Sequence, residues 1–558
     1  MNIGRRIGSV DVKRYGFILA AIIVFAFFIR IYHIGFPAIG YHNVKEHEMI
    51  NIAKNMLKNG DFFSRYADFH YGLEIDHKKV DMFPGGYITI WQTALCFKLF
   101  GPDAFLAPAR IINVIFFLIG ILFAFNIVVF LTQSRPLGLL SAFILSILPL
   151  GIFFARNLQP DCPAFAGMLG CIYFYLRFVA TLEFKYLFFS IICAVFIFLC
   201  KMTFLICFLP LLFIIPYRKL LDRYHPLKLA RNIFLTLLPL IAVTAIFWMS
   251  GELVFRTSIG RINFLALFTF SYWGKYGRDI LIYTVKENWT IVFTIVGILG
   301  YFMAVRNRQN ALLRRFVFGW MVTLIAYCMV LSDYINQHNY YQMPFLFMAA
   351  FLNAYALYFI GGRINQLTRR VHFANAFFGG LISHAGTVIV ILLFIINAPP
   401  IYEQAREHYA TLFGGMDDIG DYICRHTKPG DRFFLNSFCQ QWGICTYAER
   451  KCGWVNTLEE FKEKEKIFGV RFIVLYRTPG YDLNISPDVG KYIYDNYRLV
   501  YLGFTSVYSN KNGFLAAMVL QKGGTFDYDI FVKSRIPLLK KEYRACGITE
   551  FYKVIKDG

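Results

Sequence analysis

Long apolar runs separated by short polar connections dominate the first 400 residues of the chain. A run of about twenty apolar residues is long enough to cross a bilayer as a helix, and somewhat shorter runs are tolerated where neighbouring helices shelter them. The pattern predicts a polytopic α-helical membrane protein with about eleven transmembrane helices. We expect these helices to begin near residues 16, 108, 137, 161, 184, 203, 232, 288, 315, 341 and 380.

Two stretches depart from this pattern. A loop from about residue 34 to 107 is longer than a connection requires and carries amphipathic segments of its own. From about residue 399 the sequence becomes mixed and charged, with an alternating strand-like segment at 471–476 and a helical segment at 457–466, which predicts a small α/β domain. We therefore expect a membrane domain over 1–398, which includes the large first loop (34–107), and a second domain over 399–558.

Composition and charge agree with this interpretation. Hydrophobic residues make up 57% of the chain and charged residues only 16%, which excludes an ordinary soluble enzyme. The formal charge of +22 comes from cations that lie between hydrophobic runs rather than in a basic stripe with stacking aromatics, so no nucleic-acid partner is predicted. Alternate loops collect the Lys and Arg residues, which predicts a cytoplasmic N-terminus and places the first loop and the C-terminal domain outside the cytoplasm of a cell membrane.

The segment after the first apolar run, residues 42–60, predicts an amphipathic helix that ends at Gly60. Glu46 leads its apolar face, so its carboxylate should point inward, whereas an acid at a helix start can also simply favour the helix dipole. His42 and His47 lack a HisGluXaaXaaHis spacing, and no metal site is predicted from them. The apolar face comprises Met49, Ile50, Ala53, Met56 and Leu57, and the opposite, wet face comprises His47, Asn51, Lys54 and Lys58.

Three further polar spots lie at predicted outer helix ends. In the turn 155–161, Pro160 opens the next helix with Asp161 in its first turn, and Arg156 either pairs with Asp161 or holds a polar substrate. Lys201 runs against the positive-inside trend, so it either snorkels or binds a lipid phosphate. Lys78 and Lys79 are weaker candidates for the same role.

The last spot is the segment 337–344, which holds His338, Tyr340 and Tyr341. Interfacial tyrosines commonly form aromatic belts. His338 is more informative, because it can donate to a phosphate or sugar oxygen near neutral pH.

Five of the twelve cysteines fall in the predicted C-terminal domain, and their spacing matches no reliable zinc pattern. One disulfide among them is plausible in an oxidising compartment. The five are Cys424, Cys439, Cys445, Cys452 and Cys546.

The ordered set of external motifs resembles the GT-C glycosyltransferases that use polyprenyl-phosphate sugars, specifically the protein O-mannosyltransferase and lipid A aminoarabinose transferase superfamily. The resemblance rests on the acidic first loop followed by AlaLysAsnMetLeuLysAsnGlyAspPhe, on PheProGlyGlyTyr and AlaArgIleIleAsn, and on AlaArgAsnLeuGlnProAsp, CysLysMetThr and HisAsnTyrTyrGlnMetPro. Family members usually carry an acidic pair in the first loop, whereas this chain has Lys45 followed by Glu46.

The resemblance implies a GT-C fold and an inverting transfer of a sugar from a polyprenyl-phosphate donor to an acceptor hydroxyl of a glycolipid, protein or glycan on the extracytoplasmic face. It implies that Glu46 is the catalytic carboxylate, which accepts or orients the acceptor proton, with Glu48 as second choice. It also implies that Asp161 is the second external acidic residue. Lys201 would stabilise the leaving phosphate, assisted by Arg156 or His338, with Tyr340, Tyr341 and Lys79 as further donor-binding candidates. No cofactor is required, and a divalent metal is not demanded.

Two other classes of function remain open at this stage. A lipid or sugar transporter or flippase without transferase activity would use Glu46, Asp161 and Lys201 as a coupling or substrate path, although such charges are expected at mid-membrane depth. An inactive structural subunit of an envelope assembly would fit the replacement of the usual acid by Lys45.

Overall fold

The computed structural model describes residues 9–63, 66–73, 86–101, 106–249, 268–369, 382–478, 481–507, 510–529, 533 and 536–556. Its residues divide into two compact units. The first comprises residues 1–34, 84–89 and 110–405, and the second comprises 35–83, 90–109 and 406–558. The second unit therefore combines most of the first loop with the C-terminal sequence, whereas the domain boundary at residue 399 stays a prediction.

Helices account for the first unit. The earlier ones are α1 (Ser9–Arg30), α4 (Leu106–Thr132), α5 (Arg135–Ile147), α6 (Pro149–Phe154), α7 (Asp161–Thr181), α8 (Phe184–Cys200), a 3₁₀ helix (Met202–Cys207), α9 (Phe208–Leu212), α10 (Tyr217–Arg223) and α11 (Pro226–Met249). The later ones are α12 (Phe270–Leu281), a π-helical turn (Ile282–Asn288), α13 (Ile291–Val305), α14 (Ala311–Val330), α15 (Ser332–Ile335), a 3₁₀ helix (Asn339–Phe345), α16 (Leu346–Thr368) and α17 (Ala385–Ala410).

Apolar helices long enough to cross a bilayer are numerous in the described ranges. Six pass the criteria of length and hydropathy, and up to eight do so if two sharply bent helix pairs each count as one span. The shorter apolar helices α5 and α8 have 13 and 17 residues. The chain is a multi-pass membrane protein, while the count of about eleven spans stays a prediction.

Close backbone approach and a buried arginine hold the helices of the first unit together. Helix α7 packs along α8, and α13 packs along α16. A Cβ atom at Gly300 would collide with the carbonyl oxygen of Leu352, so this crossing requires glycine. Arg30 is fully buried and donates to the carbonyl oxygens of Ser146 (2.9 Å) and Gly151 (3.0 Å) at the break between α5 and α6. These bonds satisfy carbonyls that a helix end would leave without partners.

The second unit contains four helices and seven strands of the C-terminal sequence, together with one helix and most of a second from the first loop. The loop helices are α2 (Asn43–Asn59) and α3 (Tyr87–Phe100). The C-terminal helices are α18 (Met416–His426), α19 (Gln441–Ala448), α20 (Leu458–Phe468) and α21 (Pro487–Asn496). The strands are β1 (Arg432–Ser437), β2 (Lys451–Gly453), β3 (Phe472–Tyr476), β4 (Tyr497–Val507), β5 (Asn510–Lys522), β6 (Leu539–Arg544) and β7 (Ile548–Ile555).

The sheet has the order β2-β1-β3-β5-β4-β7-β6. Strand β1 pairs in parallel with β2 and β3, and the other pairings are antiparallel. Helices between the parallel strands provide the crossovers that such pairing needs. This mixed helix-and-sheet architecture agrees with the predicted α/β domain.

The first loop is part of this sheet unit. Tyr71 bridges Cys452 of β2 in parallel, and the backbone N–H of Cys452 donates to the carbonyl oxygen of His70 at 3.2 Å. Ile39 belongs to the same apolar core as Met416 of α18. The long loop therefore contributes structure to the C-terminal sheet rather than forming a separate module.

Candidate active site

The acidic segment of the first loop forms α2, and its sequence explains both ends. The backbone at His42 adopts a left-handed conformation just before the helix, and Gly60 ends it with φ 69°, its N–H donating to the carbonyl of Met56 at 2.9 Å. Both Glu46 and Glu48 are buried, with 4% and 5% of their surface exposed. The inward direction expected for Glu46 agrees with this burial, but burial does not separate the two acids.

The structure contradicts the wet face expected for α2. His47 and Asn51 are 1% and 0% exposed, Lys54 is partly buried, and Lys58 is the exposed residue of that face. The cause is tertiary: His47 Nε2 lies 2.6 Å from the Ala38 carbonyl oxygen, and the Asn51 amide donates to the Phe69 carbonyl oxygen. Polar residues on an amphipathic pattern can be buried when the fold supplies their hydrogen bonds.

A local ion pair distinguishes Glu48 from its neighbour. The Lys45 ammonium lies 2.8 Å from Glu48 Oε2, one helical turn away. Burial raises the pKa of the Glu48 carboxyl, and Lys45 opposes that shift. Lys45 is thus engaged with Glu48 in α2.

Helix α19 of the C-terminal sequence holds α2 in place. The Asn43 amide donates to Gln440 Oε1 at 3.1 Å, just before α19, and the Lys54 ammonium lies 2.7 Å from Glu449 just after it. A Cβ atom at Gly443 would collide with Met416 Sδ and would lie 2.9 Å from His47 Nε2, so glycine lets α19 pack against both α18 and α2. The orientation of the acidic helix therefore depends on residues about 400 positions further along the chain.

A disulfide fixes α19, the helix that contacts α2, to the sheet. Cys445 of α19 is bonded to Cys452 of β2. The same Cys452 pairs with the first-loop residues around Tyr71. One covalent bond therefore joins the helix that contacts α2 to the strand that holds the loop after α2.

A second charged cluster lies in the first unit, at the N-terminus of α7 and the C-terminus of α8. The Lys201 ammonium lies 2.8 Å from Asp161 Oδ1, and the two side chains are 17% and 3% exposed. Asp161 lies in the first turn of α7, where the helix dipole favours a negative charge. A buried lysine needs such a counter-charge, so this pair fixes both side chains.

Two tyrosine rings complete the surroundings of Lys201. Its ammonium lies 4.7 Å from the ring centre of Tyr340 and 4.6 Å from that of Tyr341. His338 stacks on Tyr340 with ring centres 5.1 Å apart. The aromatic faces attract the cation, so Lys201 is held by the two rings as well as by its ion pair with Asp161.

The 3₁₀ helix that carries these tyrosines is held by the π-helical turn before α13. The Asn288 amide donates to the Asn339 carbonyl oxygen (3.1 Å) and to Gln342 Oε1 (3.0 Å). The Gln342 amide in turn donates to Thr284 Oγ1 at 2.9 Å. Several bonds from one turn therefore set the position of the tyrosine-bearing segment.

The turn before Asp161 is likewise held from outside. The Asn113 amide of α4 donates to the carbonyl oxygens of Asn157 and Gln159. Arg156 donates to the His33 carbonyl oxygen at 2.6 Å and lies 5.5 Å from the ring centre of Phe153, while Asp161 is paired with Lys201. Sequence reasoning missed this supporting role of Asn113, although the residue lies in the AlaArgIleIleAsn segment.

The remaining candidates are placed as follows. Lys79 lies outside the described residues. His42 packs against the Tyr41 ring with centres 4.0 Å apart. Within the part of the chain that the structure describes, no three His, Cys, Asp or Glu side chains form a group suited to a metal ion.

These features define a class of multi-pass membrane protein with two distinct charged regions. One unit holds a lysine–aspartate pair beside aromatic rings, and the other holds a buried acidic helix and a mixed sheet. The family model described as dolichyl-phosphate-mannose-protein mannosyltransferase matches residues 86–250. That stretch contains Asp161 and Lys201. None of the curated proteins matches the sequence.

Among solved structures, the chain is similar to ArnT from Cupriavidus metallidurans bound to undecaprenyl phosphate, with 12% identity, a TM-score of 0.50, and 92% of this chain and 98% of that chain covered. The apo state of the same protein gives 13% identity, a TM-score of 0.50, and coverage of 91% and 98%. The oligosaccharyltransferase of Archaeoglobus fulgidus gives 11% identity, a TM-score of 0.49, and coverage of 92% and 73%. The resemblance to GT-C glycosyltransferases is confirmed, and the likeness to ArnT shows the fold.

Proposed function

We propose that the chain is a membrane glycosyltransferase that moves a sugar from a polyprenyl-phosphate donor to an acceptor hydroxyl. The observation that carries the proposal is the Lys201 ammonium, paired with Asp161 and lying under the rings of Tyr340 and Tyr341. A largely buried cation at a helix end suits the phosphate of a membrane lipid. The matching mannosyltransferase model and the ArnT fold support this choice of donor.

The proposed reaction is a substitution at the anomeric carbon of the donor sugar. The acceptor oxygen attacks the anomeric carbon, the bond from that carbon to the phosphate oxygen breaks, and the phosphate leaves with the electron pair, which inverts the anomeric centre. Lys201 stabilises the growing negative charge on the phosphate, because a fixed cation is worth most where charge develops. Asp161 positions the ammonium.

In this proposal Glu46 accepts the proton of the acceptor hydroxyl. The assignment comes from its place in the first-loop acidic motif, and it is supported by the burial of the Glu46 side chain in α2. A general base contributes about 10²–10⁴-fold to such a step. We place the reaction on the extracytoplasmic face of a cell membrane, with the N-terminus in the cytoplasm, because the positively charged loops alternate in that sense.

The test is a transfer assay with purified protein in lipid nanodiscs. Wild-type protein should consume a polyprenyl-phosphate sugar and release polyprenyl phosphate, and it should leave nucleotide sugars untouched. Lys201→Met should reduce turnover about 10²–10³-fold, as removal of one charge-stabilising donor does elsewhere, and Lys201→Arg should retain part of it. Transfer from a nucleotide sugar, or full activity of Lys201→Met, would contradict the proposal.

A further inference from the structure

A cavity of about 260 Å³ with both charged and apolar walls lies beside the second half of α2, within the second unit. None of the described donor-binding candidates lines it. Its walls come from α2, the loop that follows α2, helix α3 and the end of α19. The lining residues are Lys54, Asn55, Leu57, Lys58, Asp68, Phe69, Phe97 and Glu449.

The charges of this cavity occur in two facing pairs. The Lys54 ammonium lies 2.7 Å from Glu449 Oε1, and the Lys58 ammonium lies 2.7 Å from Asp68 Oδ2. Among the described lining residues, two cations and two anions sum to zero, so their charge does not select an anionic ligand. The cavity offers fixed donors and acceptors to a neutral ligand with many hydroxyl groups.

The other walls are apolar. Phe69, Phe97 and Leu57 line the same space as the two ion pairs. A sugar ring has this combination of surfaces, since hydroxyls surround its edge and C–H groups cover its faces, which pack against aromatic rings. A volume of about 260 Å³ is close to the lower end of ligand pockets, about 300–1,000 Å³, and suits a sugar-sized group.

The cavity shares a rigid element with the proposed base. Lys54 follows Glu46 by eight residues in the unbroken helix α2, which corresponds to about 12 Å along the axis, and Lys58 lies about 18 Å along it. A single sugar cannot span that distance, whereas an oligosaccharide can. A ligand held in the cavity while its end reacts at Glu46 is therefore an extended chain.

We propose that this cavity is a subsite for a glycan acceptor and that it binds a sugar unit remote from the hydroxyl that reacts. The proposal rests on the transferase function proposed above. It replaces the open choice of a protein, lipid or glycan acceptor by an acceptor that carries an oligosaccharide. The paired Lys54–Glu449 and Lys58–Asp68 groups bind its hydroxyls, and Phe69 and Phe97 pack against its ring.

The experiment is saturation-transfer NMR on the full-length protein in nanodiscs without donor, with trisaccharides of mannose, glucose, galactose, arabinose and N-acetylglucosamine as probes. At least one should receive saturation on its ring protons from wild-type protein. The double variant Lys54→Met/Glu449→Gln, which keeps the net charge, should lower that transfer at least fivefold. Lys466→Met, an exposed lysine of α20, is the matched control and should leave it unchanged.

Three results would overturn the subsite. They are no transfer to any trisaccharide, equal transfer in the double variant with an unchanged melting temperature, and displacement of the bound sugar by inorganic phosphate. A second double variant, Lys58→Met/Asp68→Asn, covers the case in which the first fails to fold. Lys201→Met should bind the trisaccharide normally. Wild-type protein that binds the trisaccharide but transfers no sugar would count against the donor proposal and not against this subsite.

Discussion

The two charged clusters differ in how the chain brings their members together. Lys45 and Glu48 pair across one turn of α2, whereas Asp161 and Lys201 are forty residues apart and meet where α7 begins and α8 ends. The local pair holds whenever α2 is a helix. The distant pair forms only if α7 and α8 pack correctly, so Lys201 lies beside Asp161 only in the folded membrane unit.

The largest effect should come from the proposed base. We expect Glu46→Gln to lower turnover about 10²–10⁴-fold, because the amide cannot accept a proton. The matched variant Glu48→Gln removes a carboxylate that is paired with Lys45 and should cost clearly less. The assay is transfer from a polyprenyl-phosphate sugar, and undiminished turnover in both variants would rule out either acid as the base.

Next in size is the disulfide that braces α19. Closing an eight-residue loop stabilises a fold by about 2.5 kcal/mol in the chain-entropy description. Cys445→Ser should therefore lower the free energy of unfolding of the second unit by about that amount, measured by denaturant titration with a fluorescent thiol probe for exposure. Cys424→Ser, a cysteine outside the disulfide, is the control. Equal stability of the two variants would show that the bond is not needed to hold α19.

A smaller effect is expected from the tyrosines around Lys201. A cation over an aromatic face is worth about 0.5–2 kcal/mol, so Tyr341→Leu should raise the KM for the donor about 2–30-fold. Tyr341→Phe keeps the ring and should stay near wild type. If Phe and Leu reduce donor binding equally, the hydroxyl rather than the ring is what matters.

The smallest effect is a pH dependence of stability. Burial raises the pKa of Glu48 above its ordinary value of 4.5, so the folded state holds its proton to higher pH than the unfolded state. Wild-type protein should therefore lose stability relative to Glu48→Gln as pH rises through this range. Melting temperatures of both proteins should be measured from about pH 4 to pH 7, and their difference should shift in favour of Glu48→Gln as the pH rises. A difference that does not change with pH would contradict the raised pKa.

Local patterns predicted local structure well. The helical period and Gly60 set the bounds of α2, and alternation and charge predicted the mixed C-terminal domain. The prediction of a solvent-exposed face on α2 was wrong at His47 and Asn51. These side chains are covered by the backbone of Ala38 and Phe69 and by α19. No periodicity in a single segment contains that information.

The site shows the same division. Asp161 and Lys201 were each recognisable as polar groups at helix ends, but the pairing considered for Asp161 was with Arg156, five residues away, and the structure pairs it with Lys201. The link between Cys445 and Cys452 also could not be chosen from five cysteines. Such pairings depend on how distant elements pack.

The central claim is that Lys201 holds a lipid phosphate, and equilibrium binding of undecaprenyl phosphate to the purified protein in nanodiscs tests it most directly. A hydrogen bond to a charged group is worth about 1.5–3 kcal/mol, so Lys201→Met should weaken binding about 10–150-fold, while Lys466→Met should bind as wild type does. Binding of equal strength in Lys201→Met and wild-type protein would contradict the account.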